Sequence, residues 1–298
     1  MKLQTFTKIN TLYKRYQFKG TDCPNQKWLK FKNKIILGDF SNIEAKYLFH
    51  NLWEAYSKID GTNSKIAFFP STGEIKIGGK SDNAESIHGQ FEMLQAIADR
   101  IQPQLAYMFS KFDARFTPVK SKETNKPVFY DEYGTEIKTM LEAGEYSVEM
   151  EEVPIYIYGE YFGSGVQKGG GRYIQNGNGF VVFDICQQGW WLPKENRDAL
   201  CRGLKLETVP YIGNMTLADI EQMVMNGFTT RFERAADPTL IEEGIVARPV
   251  VPICDGRGNR IIVKVKYCDY IEYKRVRDEF TDREFEEFTE WYNSLESE

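Results

Sequence analysis

The chain has 298 residues, 42% of them hydrophobic, and a formal net charge of −5. That length can bury one large core or two modest ones, and with no apolar run of about eighteen residues a membrane helix is excluded and a cytoplasmic location expected. Five cysteines without a Cys-x-x-Cys pair exclude a disulfide framework and a cysteine-built zinc site, and His50 and His88 fall outside every motif described below.

The charge is polarised along the chain. Residues 1–34 carry nine Lys or Arg against Asp22 alone, interleaved with Tyr13, Tyr16, Phe18, Trp28 and Phe31, whereas residues 278–298 carry nine acids against Arg283. The N-terminal stretch, with Lys27, Lys30 and Lys32, is therefore a candidate grip for a phosphate backbone; the alternative is a solvated face whose aromatics pack inward. From Leu52 the pattern predicts an antiparallel meander: strands at 52–59 and 64–69, a Pro70-Ser71-Thr72-Gly73 turn and a return at 74–77. Ile87, Phe91, Leu94, Ala98 and Ile101 lie at helical spacing and predict a helix that Pro103 ends. Residues 117–152 read as a polar excursion with a weak helix at 136–141.

Strand alternation returns at 155–162, followed by a loop holding Gly163, Gly165, Gly169, Gly170 and Gly171. With Gln167, Lys168 and Arg172 this loop could close over phosphates, or serve only as a flexible connection. Residues 180–185 predict a buried strand, 195–204 a helix, and Thr216-x-x-Asp219 the capped start of another; strands at 244–248 and 260–266 flank a Gly256-Arg257-Gly258-Asn259 turn. Thr281-x-x-Glu284 followed by Phe285, Phe288, Tyr292 and Leu295 predicts an amphipathic terminal helix.

Four stretches carry chemistry. Lys58-Ile59-Asp60-Gly61-Thr62-Asn63 sets an amine beside a carboxylate where a glycine admits a ligand, although Asp-Gly alone is also a favoured hairpin turn. Downstream come Gly159-Glu160-Tyr161-Phe162-Gly163, Glu243-Gly244-Ile245-Val246 and Lys264-Val265-Lys266. Taken singly, Glu160 and Glu243 are ordinary surface carboxylates, Lys264 and Lys266 the solvent face of an edge strand, and Phe183 a core phenylalanine.

In this order the four stretches resemble the covalent nucleotidyltransferases, the superfamily of ATP-dependent ligases and capping enzymes, and most closely its RNA ligase 2-like branch. Residues 163–168, 180–185 and the opening Phe6-Thr7-Lys8-Ile9 also read like that branch, and Asn63 stands where DNA ligases and capping enzymes usually carry arginine. The resemblance implies a mixed α+β (α/β) nucleotidyltransferase domain, ATP-grasp-like, with antiparallel sheets and flanking helices over residues 1–277, an acidic helix at 278–298 docked on it, and no C-terminal OB domain. It implies Lys58 as the nucleophile that takes AMP from ATP, with Mg²⁺ or Mn²⁺ near Glu243, Glu160 on the ribose hydroxyls, Phe183 stacked on adenine, and Asn63, Lys80, Lys264 and Lys266 around the nucleotide. Ser81 departs from the family's usual arginine. AMP would pass to an RNA 5′-phosphate, which a 3′-hydroxyl then seals, with Gln167, Lys168, Lys27, Lys30 and Lys32 on the RNA and an accessory protein as a possible partner for strand binding. If Lys264 and Lys266 both face Lys58, their like charge lowers its pKa. A DNA ligase or capping enzyme is the nearest rival, and a nucleotide-binding module without turnover the rival of another class.

Overall fold

The computed structural model describes residues 3–70, 72–80, 89–109, 153–187 and 189–295, and the backbone of short strands at Thr117–Lys120, Pro127–Tyr130 and Glu136–Ile137. The last of these is a strand where the sequence suggested a helix. Ser81, Ile87, His88 and the rest of the 117–152 excursion lie outside the described residues. The chain forms two compact units, one from Met1–Thr7 with Asp60–Val209, the other from Lys8–Ile59 with Pro210–Glu298, so the expected 1–277 body contributes to both.

In the first unit the sheet runs Trp190–Trp191, Asn178–Gln187, Ile155–Gly163, Thr62–Phe69, Glu74–Gly79, all antiparallel, with Glu207–Thr208 added in parallel to the 178–187 strand. Its strands read as almost continuous apolar runs because both faces are covered. Ile66, Phe68, Ile157, Val182 and Ile185 pack on one side with Leu94, Ala98, Ile101 and Leu105 of the Gln90–Phe109 helix; Ala67, Tyr156, Tyr158 and Cys186 pack on the other with Leu3, Phe6 and Trp191. That helix continues through Pro103 instead of ending there. Burial of Leu105 and Ala106 beyond the proline, and the bond from Gln102 Nε2 to the Gly73 carbonyl at 2.6 Å, hold the last two turns against the lost backbone bond.

The second unit is built on the order Asn10–Thr11, Val263–Lys266, Gly244–Pro249, Leu52–Ser57, Tyr211–Thr216, parallel only in its first pair. Strand alternation divides the residues cleanly between faces. Trp53, Ala55, Ile245, Ala247, Val263 and Val265 form the core with Leu217, Ile220 and Val224 of the Leu217–Asn226 helix, whose Thr216–Asp219 capping box is formed as expected. The other face carries Glu54, Tyr56, Val246, Arg248, Lys264 and Lys266.

A separate aromatic cluster joins the ends of the chain within this unit. Tyr16 and Phe31 pack against Phe280, Phe288 and Tyr292, with the Phe31 and Phe288 rings stacked at 4.5 Å. The terminal helix, Asp282–Leu295, starts at the Thr281–Glu284 box, where Glu284 accepts from the Thr281 N–H at 2.8 Å. Lys27 bonds Glu284 at 2.7 Å, Lys30 pairs with Glu279, Lys34 with Glu272 at 2.7 Å and Arg15 with Asp269 at 2.6 Å. Of the aromatics in residues 1–34, Tyr13, Tyr16 and Phe31 are buried and Phe18 and Trp28 are half-buried against the terminal helix, while Lys27 and Lys30 pair with acids of the chain itself. Lys32 is exposed.

Candidate active site

Lys58 follows directly on the Leu52–Ser57 strand, and its N–H continues the ladder by donating to the Gly244 carbonyl at 3.0 Å. Two rows of side chains therefore cross the sheet here. Lys58, Gly244 and Lys266 form one; Tyr211, Tyr56, Val246 and Lys264 form the next. Gly244 is required by its backbone, at φ 155° with an added Cβ only 2.0 Å from the Val265 carbonyl oxygen, so the two strands meet closely between the two lysines.

Glu243 bonds both amines, Lys58 Nζ at 2.5 Å through Oε2 and Lys266 Nζ at 2.9 Å through Oε1. All three side chains are more than seven-tenths buried. The two downstream lysines are shifted in opposite directions. Burial opposes charge on Lys266, but the hydrogen bond and charge of Glu243 outweigh it and raise its pKa. Lys264 is the amine that is pushed down, first by burial and then by the charges of Lys58 and Lys266, with Lys8 adding to them and Glu243 opposing. The carboxylate explains the difference between them, because it hydrogen-bonds Lys266 and acts on Lys264 by charge alone.

The first unit holds the remaining motif residues. Gly61 lies so close to the 155–163 strand that an added Cβ would stand 2.3 Å from the Tyr161 carbonyl oxygen and 2.9 Å from Glu160 Cγ. Only glycine fits this approach. Asn63 is directly opposite Glu160 across the ladder, so the two share a face. The Asp60 N–H points to the Tyr173 hydroxyl at 3.5 Å, and Gln167 Nε2 donates to the Gly61 carbonyl at 3.2 Å. The glycine loop is thus tied to the motif and turns into a short helix at Gly170–Tyr173, where only loop was expected. Lys168 and Lys80 are exposed. Phe183 is half-buried and meets Phe6 edge-on at 5.0 Å.

The structure adds residues the motifs did not indicate. Glu54 accepts from Arg248 Nε at 2.8 Å and from the Tyr56 hydroxyl at 2.6 Å, on the sheet face that carries Lys58. Their signal was the alternation itself, since 54, 56 and 58 must share a face on one strand. Buried Lys65 reaches the Gln4 carbonyl at 3.3 Å, pinning the N-terminal segment across the first sheet. For a metal ion Glu243 is the placed carboxylate. Among the described residues no group of three or more ligating side chains forms, so a hard cation here would be held by one carboxylate together with phosphate oxygens, a common arrangement for Mg²⁺.

The RNA ligase family profile matches residues 52–266, which contain all of these motifs, and the chain belongs to that family. No curated protein sequence matches it. Among solved structures, a variant of the RNA ligase of Naegleria gruberi with ATP and Mn is 15% identical with a TM-score of 0.48, the match covering 79% of this chain and 54% of that one. A second variant with ATP and Mn is 13% identical at a TM-score of 0.49, covering 91% and 59%. The same ligase with PPi is 15% identical at 0.48, covering 79% and 55%. The chain thus spans little more than half the length of these ligases.

Proposed function

We propose that the chain is an ATP-dependent RNA ligase that works through a lysine-AMP intermediate on Lys58. The observation that carries this reading is the pairing of Lys58 and Lys266 on the two oxygens of Glu243, inside the segment that defines the family. Glu243 holds the Lys58 amine in a fixed position, which an in-line attack on the α-phosphorus of ATP requires more than it requires acid-base help. The N–P bond forms as the bond to pyrophosphate breaks, and the proton that the amine gives up passes to solvent water. Lys264 and Lys266 supply positive charge next to the transferred phosphate. A divalent ion, as in the Naegleria ligase structures with Mn, would be held by Glu243 and would supply further neutralisation of phosphate charge.

AMP then passes to the 5′-phosphate of an RNA end as a 5′–5′ pyrophosphate, and attack by a 3′-hydroxyl forms the phosphodiester and releases AMP. In this reading Glu160 and Asn63 serve the ribose, Phe183 the adenine, and Lys80, Gln167 and Lys168 the phosphates or the RNA. The test is an assay with a 5′-phosphate RNA, a 3′-hydroxyl RNA, Mg²⁺ and either ATP or GTP. Joined product with ATP, and none with GTP or with Lys58→Ala, is expected. GTP-dependent labelling of the protein without RNA joining would point to a capping enzyme.

A further inference from the structure

Resting on that ligase reading, we propose that Tyr211 is a stacking platform for a base of the RNA strand whose end reaches Lys58. Tyr211 is 40% exposed, and it stands directly opposite Tyr56 on the neighbouring strand. Tyr56 lies two residues before Lys58, or about 7 Å along the strand, so the tyrosine pair adjoins the nucleophile on one face of one sheet. The row that holds both tyrosines ends in Lys264.

Two contacts of its own, and two more on the tyrosine beneath it, make the ring a prepared surface rather than a loose side chain. Its hydroxyl donates to Asn214 Oδ1 at 2.6 Å, and its inner side rests on Tyr56 with ring centroids 5.5 Å apart. Tyr56 is buried and fixed in turn, its hydroxyl on Glu54 and the Arg248 guanidinium 5.2 Å above its ring. A tyrosine held in this way can stack a base with little loss of rotamer freedom, because that freedom is already lost.

Charge on the same face names the occupant. Lys264 closes the row that holds the tyrosines, and Arg248 and Lys266 lie on the same face, paired with Glu54 and Glu243; with Lys58 the described residues of this face carry a net positive charge, which suits a chain of phosphates carrying bases. Aromatic stacking beside a cationic track is how single strands are held without reading their sequence. Removal of the ring should weaken binding roughly tenfold, within the range that loss of one base–aromatic stack causes.

The test is binding of a short 5′-phosphorylated RNA carrying 2-aminopurine at its 5′ end, or in a second probe at its 3′ end, followed by fluorescence without ATP. Quenching with one of the two probes is expected, with about tenfold weaker binding in Tyr211→Ala and near-normal binding in Tyr211→Phe and Tyr211→Trp. Lysine-AMP formation, measured in parallel, should fall much less than RNA binding in Tyr211→Ala. Unchanged binding and quenching in that variant would overturn the proposal, as would equal loss of both activities, or release of the probe by ATP, which would make the occupant adenine of ATP. Lysine-AMP formation without quenching would defeat the platform and leave the ligase reading intact. Quenching lost with Tyr211→Ala in a protein that never takes up AMP would do the reverse.

Discussion

Two clusters in the second unit pair lysines with glutamates, and they balance their charges differently. At the chain ends Lys27, Lys30 and Lys34 each have a glutamate of their own, over a buried aromatic stack. On the sheet face a single glutamate serves both Lys58 and Lys266, and Lys264 stands beside them with its pKa lowered. The first cluster is neutral and holds structure together. The second has an excess of positive charge in a largely buried place, which is costly unless a phosphate completes it.

Removing the shared carboxylate should give the largest effect. Glu243→Ala leaves three neighbouring amines without compensation, and lysine-AMP formation is expected to fall about 10²- to 10³-fold, the scale seen when a preorganised electrostatic group is lost. Single-turnover rates at saturating ATP measure this. A loss under tenfold would break the distinction between the clusters.

The reverse pattern should follow from breaking the aromatic stack. Phe288 is fully buried against Phe31, and Phe288→Ala is expected to cost about 3–5 kcal/mol of stability, as large-to-small core changes do, while lysine-AMP formed per folded molecule stays near normal. Denaturant unfolding alongside the activity assay checks both halves.

A pH series sharpens the electrostatic side. Because the Lys264 pKa is lowered from its ordinary 10.5, its charge is lost at lower pH than that of a free lysine. The affinity for ATP should therefore weaken as pH rises on the alkaline side, by several-fold. In Lys264→Arg, whose charge does not titrate in this range, that weakening should disappear. A KM for ATP with the same pH dependence in both proteins would count against the assignment.

The smallest effect is expected from neutralising Lys27, Lys30 and Lys32 together. RNA joining should change by less than about twofold, because two of these charges already face acids and surface pairs contribute little. Acid should act on the same contact. The bond from Lys27, with those from Thr281, holds Glu284 down at about 2, so its stabilisation is present above the ordinary glutamate value of 4.5 and is lost as pH falls from there toward 2. The helical signal of the intact protein should show an acid step in that window, and in the triple variant, which keeps the Thr281 bonds, a smaller step that sets in at higher pH.

Much of this was legible in the sequence because it is local. Alternation gave the strands around Lys58 and Glu160, the capping boxes gave the helices after Thr216 and Thr281, and four short motifs gave the family. What escaped depends on contacts distant along the chain. Nothing near Lys27 announces Glu284, and a basic stretch with aromatics looks the same whether its partner is RNA or its own terminal helix. Pro103 lies inside a helix because Leu105 and Ala106 are buried beyond it, a tertiary effect that outweighs the local rule. The influence of Lys264 and Lys266 on Lys58 was expected from like charges alone. Spacing along a strand could not show that Glu243 would bond two of the three amines.

The central claim is that Lys58, in the unbalanced cluster, is the group that takes the nucleotide. Incubation with ATP and Mg²⁺ followed by intact mass and peptide mapping tests it directly. A single AMP on the peptide containing Lys58, absent from Lys58→Ala, is predicted; AMP on another lysine, or an undiminished adduct in that variant, would contradict it.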